Sequence, residues 1–154
     1  MILKLSPMKP KAFQEYISFA VNEYAKEKIE VGSWSTKQAQ QNAQMTYDRL
    51  LPKGLNTPHH FLYSIYDDTV IVGYIWFGAD NENQSRAFIF DFEIYHDYQN
   101  NGFGSQALKL VSNEAKKMGF DTIGLHVFGN NDKAIHVYQK SGFGITDIKM
   151  QKKI

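Results

Sequence analysis

An apolar run from Phe88 to Tyr95 passes through Tyr98-Gln99-Asn100-Asn101-Gly102-Phe103-Gly104-Ser105 into a helical pattern over Phe103 to Met118. A second apolar run follows at Thr122 to Phe128. This succession constrains the fold more than any other feature. A strand, a helix of this length and a second strand form a crossover, and the two strands then lie parallel in one sheet. Phe103, Ala107, Val111, Ala115 and Met118 supply the apolar stripe of the helix, and Gly119 is placed to end it. Gly102 and Gly104 stand where that helix opens. The first N–H groups of a helix lack intrahelical acceptors and carry the positive end of its dipole, so an anion can be held there by backbone alone. Absent Cβ atoms let a pyrophosphate approach. An ordinary turn in which glycine supplies a positive φ explains the same two residues.

Around this unit the chain offers one domain's worth of core, 154 residues of which 43% are hydrophobic, with nine Tyr, eleven Phe and two Trp. Met1 to Leu5 reads as a strand ended by Pro7 and Pro10, followed by a helix on Phe13, Ile17, Ala20 and Tyr24. Ser35 or Thr36 is placed to cap a second helix carrying Ala39, Ala43, Tyr47, Leu50 and Leu51. Phe61 to Tyr66 and Val70 to Phe77 form a hairpin around Asp67-Asp68, Asp132 to Lys140 a short helix, and Ile145 to Lys152 a last strand. In the run at 88 to 95, alternation puts Phe88, Phe90, Phe92 and Ile94 on one face and Ile89, Asp91, Glu93 and Tyr95 on the other. The fold class is α/β (α+β).

A net charge of +1, without a basic cluster, argues against nucleic acid as a partner. With no cysteine there is no disulfide, thiolate metal site or thiol nucleophile. No signal-like segment and no apolar run near the length of a membrane span is present, so the expected location is the cytoplasm, without membrane attachment. His59-His60 point to opposite faces of a strand with no third ligand spaced nearby, so no metal site is expected. Trp34, Tyr47, Tyr74, Trp76 and Phe77 suit either core or an acceptor pocket, and Glu23 to Glu30 reads as a solvated helix face or an amine-steering one.

A second motif changes the weight of the first. Gln99-x-x-Gly102-x-Gly104 together with Asn131-x-x-Ala134-x-x-x-Tyr138-x-x-x-Gly142-Phe143 resembles the GNAT superfamily of acetyl-CoA-dependent N-acetyltransferases, and the order of elements follows that family along the whole chain. The resemblance implies a single domain over 1–154, with a mixed, centrally parallel sheet of about six to seven strands flanked by about four helices. It implies acetyl-CoA as cosubstrate and an amine-bearing small molecule or peptide as acceptor, and it admits a homodimer. Phe92, Glu93 and Ile94 would line the pantetheine arm through their backbone, Asn100, Asn101, Gly102, Phe103, Gly104 and Ser105 would cradle the pyrophosphate after Gln99, and Asn131 would touch the coenzyme near the second helix. Asn100-Asn101 replaces the basic pair frequent in the family, which shifts the grip on phosphate toward backbone donors and the helix dipole.

Acetyl transfer needs a neutral amine, donors toward a developing oxyanion and an acid for the departing thiolate. Tyr138 matches the family's position for that acid, and a phenol is protonated at neutral pH. Asp91, Glu93 and His126 are the candidate bases. A carboxylate that balances the substrate ammonium, or a structural ion pair, explains Asp91 and Glu93 as well, and a structural role explains His126. A coenzyme-binding sensor of the same fold without useful catalysis is the alternative to an enzyme.

Overall fold

The structure, a computed structural model, describes residues 2–154. Five strands form one sheet in the order β1-β2-β3-β4-β5: β1 (Leu3–Pro7), β2 (His60–Asp67), β3 (Val70–Ala79), β4 (Arg86–Ile94) and β5 (Thr122–Leu125). The helices are α1 (Pro10–Glu30), α2 (Ala39–Leu50), α3 (Phe103–Lys117) and α4 (Asp132–Lys140). Met1 of the expected first strand lies outside the described residues. Pro10 opens α1 at a position where a missing N–H costs nothing. Ser35 and Thr36 do not cap α2: its N-cap is Gln38, without a side-chain hydrogen bond, after a turn in which the Ser35 carbonyl accepts from the Gln38 and Ala39 N–H groups.

β1 to β4 pair antiparallel, and the strand–helix–strand crossover makes β4 and β5 parallel. The expected centrally parallel sheet of six to seven strands is corrected on both counts. Among the described residues the one parallel pair sits at the sheet edge, and residues 145–152 join no ladder. Ile145, Ile148 and Met150 are 61%, 71% and 88% exposed, so the tail buries too little apolar surface to offset the entropy of ordering it as a strand. Its Gln151 side chain instead donates to the Val31 carbonyl. The four expected helices are present.

The sheet separates two cores. On one face α3 buries Phe103, Ala107, Leu108 and Val111 against Ile65, Ile75, Phe77 and Ile89, and Tyr138 and Phe143 pack against the same cluster. On the other, α1 and α2 bury Phe13, Tyr16, Val21, Ala43 and Tyr47 against Leu62, Tyr74 and Trp76. One irregularity decides which core each β4 residue joins. Trp76 lies opposite Asp91 while Phe77 lies opposite Ile89, which leaves Phe90 as the extra residue of a β-bulge. The predicted alternation therefore fails at that point. Ala87, Ile89, Phe92 and Ile94 face α3, whereas Phe90 joins the α1–α2 core and stacks on Trp76 at 4.8 Å between ring centroids. Phe88 lies edge-on to Phe90 at 5.0 Å. Among the described residues, no helix is long and apolar enough to cross a membrane.

Candidate active site

The bulge aims two carboxylates at α1. Asp91 accepts from the Tyr16 hydroxyl at 2.7 Å and from the Phe92 N–H at 2.9 Å, so the donor freed by the bulge is satisfied by the adjacent side chain. Two residues on, Glu93 accepts from the Tyr74 hydroxyl at 2.9 Å. Burial pushes the Asp91 carboxyl up to about 6, against the two hydrogen bonds that favour its charged form, and the Glu93 charge adds to the rise. Burial and the same carboxylates hold the Tyr16 and Tyr74 hydroxyls protonated far above the usual phenol range.

Glu27 completes this acidic group from the last turns of α1. Crowding by protein, then the charges of Asp91, Glu23, Glu30 and Glu93, raise its carboxyl to about 7, although the side chain still reaches solvent. In the sequence, residues 23 to 30 read as one face, and Glu27 does not stand out within it. The available signal was the helical spacing of Tyr16, Ala20 and Glu27, which carries one stripe of α1 along the sheet.

Tyr138 approaches from the opposite side of β4. Its ring lies 6.4 Å from Phe92 and 5.9 Å from Phe143, in the α3–α4 core. Burial first, then the charges of Asp91 and Glu27, push its hydroxyl up to about 12, the phenol lying on the α3 face of the strand and the Asp91 carboxylate on the α1 face. Between them β4 is open: its ladder to β5 ends at the Ile89–Leu125 pair, and the β5-side edge from Phe90 to Ile94 has no strand partner. His126 is set apart. It follows the end of β5, exposed, with its ring 5.0 Å from Phe128, and burial on one side together with Lys28 lowers its pKa below the usual histidine value.

The phosphate-binding candidates surround the same opening. Gln99 donates to the Ile94 carbonyl at 2.8 Å and accepts from Lys133 Nζ at 2.8 Å, joining the end of β4 to the start of α4. Asn100 and Gly102 take positive φ, +63° and +77°, and the Asn101 amide donates to the Tyr98 and Gln99 carbonyls. Gly102 caps α3 in the left-handed conformation, with nothing within 4 Å of the Cβ it lacks. Phe103 is buried beneath the loop, and Ser105 is exposed in the first turn of α3. A Cβ on Gly104 would rest 3.7 Å from Val137, an ordinary van der Waals contact, so the packing of α3 on α4 does not itself require glycine there. Asn131 caps α4, its side chain accepting from the Ala134 N–H at 3.2 Å. Lys133, like Glu27, is not marked out by the sequence pattern. It brings a cation to a loop whose own variable positions are Asn100 and Asn101.

Of the other sequence candidates, His60 Nδ1 accepts from Trp76 Nε1 at 3.0 Å, and Tyr47, Trp76 and Phe77 fill core. Among the described residues there is no cluster of three or more His, Cys, Asp or Glu side chains placed to hold a metal ion.

Comparison with known proteins shows the family and the fold. Residues 18–143 match the family model described as "Acetyltransferase (GNAT) family". The uncharacterized N-acetyltransferase YycN of Bacillus subtilis is 38% identical over 156 residues, with all of both chains covered. A second B. subtilis protein, the uncharacterized N-acetyltransferase YdgE, is 30% identical over 156 residues, covering 100% of this chain and 99% of the relative. The crystal structure of YycN superposes with a TM-score of 0.93 over 99% of this chain and 98% of that one. A Thermoplasma acidophilum PaiA N-acetyltransferase in complex with coenzyme A shares the fold at 17% identity and a TM-score of 0.70, over 97% and 94% of the two chains. The chain is an acyltransferase and belongs to the GNAT acetyltransferase family.

Proposed function

We propose that residues 1–154 act as one cytoplasmic domain that transfers acetyl from acetyl-CoA to a primary amine of a small molecule or peptide. The amine attacks directly within a ternary complex. The observation that carries this reading is Tyr138 packed on Phe92 beside the open edge of β4, with the Asp91 and Glu93 carboxylates on the other face of the same strand.

The pantetheine arm would lie along the free edge at Phe92 to Ile94 as an added strand does, and the pyrophosphate would sit over the Asn100–Ser105 turn and the N–H groups that open α3. The left-handed Gly102, with open space where its Cβ would be, fits that use, and Lys133 supplies charge for a phosphate. The ammonium of the acceptor is drawn to the acidic group and gives up a proton to Glu27, directly or through water. A carboxyl with a pKa near 7 is suited to that exchange at neutral pH. Asp91, already holding two donors, contributes negative charge and orientation. The amine nitrogen then bonds to the carbonyl carbon and the carbon–sulfur bond breaks as Tyr138 donates its proton to the departing sulfur; the second nitrogen proton, lost as the amide forms, passes through water to return Tyr138 to the phenol. Because the chain contains no cysteine, no cysteine thiol competes as nucleophile.

The experiment is to follow thiol release from acetyl-CoA by purified protein across a panel of alkylamines, polyamines and free N-terminal peptides. Release that depends on an amine supports the reading. Bound acetyl-CoA with no release for any amine overturns it.

A further inference from the structure

A cleft of about 350 Å³ opens between the N-terminal half of α1 and strands β2 to β4. It is continuous with the acidic group through Tyr16 and Glu93, both of which line it. Its walls are apolar and aromatic, including Phe19, Ile71, Tyr74 and Tyr95, and among the described residues its only charged lining groups are the carboxylates of Glu15 and Glu93. Among the described residues, no lysine, arginine or histidine lines it. The Tyr74 and Tyr95 rings lie 6.1 Å apart, and Tyr16 packs on Tyr74 at 4.6 Å. Glu15, Glu93 and Tyr95 line the cleft together, and burial, then the two carboxylates, hold the Tyr95 hydroxyl above the usual phenol range. Aromatic walls with two carboxylates and, among the described residues, no opposing cation suit an organic ammonium on an aliphatic stem. They disfavour anions.

We infer that this cleft seats a second ammonium of the acceptor, so that the preferred substrates are alkyl diamines rather than monoamines, with one nitrogen at Glu15 and Glu93 and the other at Asp91 and Glu27. The inference rests on the acetyl-transfer reading above. Asp91 and Glu93 project toward the same face two residues apart, a separation of about 7 Å along a strand, which a chain of about four or five carbons bridges. The second nitrogen remains protonated, and only the first loses a proton and takes the acetyl group.

The test compares matched pairs with the full chain and acetyl-CoA: butane-1,4-diamine against butylamine, and pentane-1,5-diamine against pentylamine, by thiol release. The diamine of each pair is expected to show kcat/KM higher by roughly tenfold, chiefly through KM, given an aromatic and ionic seat for its second charge. Glu15→Gln, an exposed position whose change spares the fold, should lower the diamine-to-monoamine ratio by about threefold. Equal kcat/KM within each pair overturns the diamine inference and leaves acetyl transfer standing. A ratio unmoved by Glu15→Gln, or turnover of peptides without turnover of diamines, also overturns it. Release from no amine at all overturns both.

Discussion

Asp91 is a carboxyl that the fold would rather keep protonated, and the variant Asp91→Asn turns that into a measurable change in stability. In the folded chain its pKa is about 6, against 3.8 for the unfolded reference, with burial as the first cause. Folding therefore favours the protonated form. The stability this contributes is fully present below about pH 4 and is lost as pH rises through about 6. A gap of about two pH units at 1.36 kcal/mol each makes the charged carboxylate cost about 3 kcal/mol above pH 7. Asparagine removes that charge but offers one oxygen where aspartate used two, Oδ2 for Tyr16 and Oδ1 for the Phe92 N–H. Losing one of those bonds costs about 1–2 kcal/mol. The variant should thus be more stable than the parent by about 1–2 kcal/mol at pH 8, a rise of roughly 2–8 °C in Tm. It should be less stable by about 1–2 kcal/mol near pH 4, where only the lost hydrogen bond counts. The assay is thermal unfolding of both proteins by circular dichroism between pH 4 and 8, and the quantity compared is the difference between them. Curves that cross support the reasoning. A difference constant in pH, or one that favours the parent increasingly as pH rises, refutes it.

Tyr138→Phe keeps the ring packed on Phe92 and Phe143, so Tm should hold while kcat falls by roughly 10²–10³ with KM for acetyl-CoA within about twofold, measured by steady-state thiol release. Equal losses in kcat and coenzyme affinity would remove the acid role. In the parent, kcat/KM for the amine should rise with pH through about 7 as the Glu27 carboxyl loses its proton, and Glu27→Gln should flatten that limb and lower the plateau by about 10²-fold. Lys133→Ala should raise KM for acetyl-CoA by about three- to tenfold and make it less sensitive to salt, since the cation at Gln99 is removed. A methyl group on Gly73 collides with the Glu93 carbonyl oxygen, so Gly73→Ala should push β4 from β3 and cost about 1–3 kcal/mol by denaturant unfolding.

Local patterns in the sequence disclosed α1, α3 and α4, the parallel crossover and the left-handed Gly102, because helical stripes and turn glycines act over a few residues. The bulge at Phe90 was hidden. No glycine or proline marks it, and it exists because β3 and β4 slip by one residue between Trp76 and Phe77, a property of two strands together. Its result is that Asp91 and Glu93 do share a face, as alternation predicted, but in company with Phe90 rather than Ile89. The bond from Tyr16 to Asp91 joins residues 75 positions apart, and that from Lys133 to Gln99 joins residues 34 apart, so neither is marked by any local spacing. Residues 145 to 152 carry strand-like alternation without forming a strand, since β propensity depends on a surface to pack against.

The most direct measurement is mass analysis of an incubation of the protein with carbonyl-labelled acetyl-CoA and a mixture of primary amines. Direct transfer predicts one labelled acetyl group on an amine nitrogen for each CoA released, no labelled protein intermediate when the amine is withheld, and loss of product in Tyr138→Phe. CoA released without an acetylated amine, or label trapped on the protein and then passed to the amine, would contradict it.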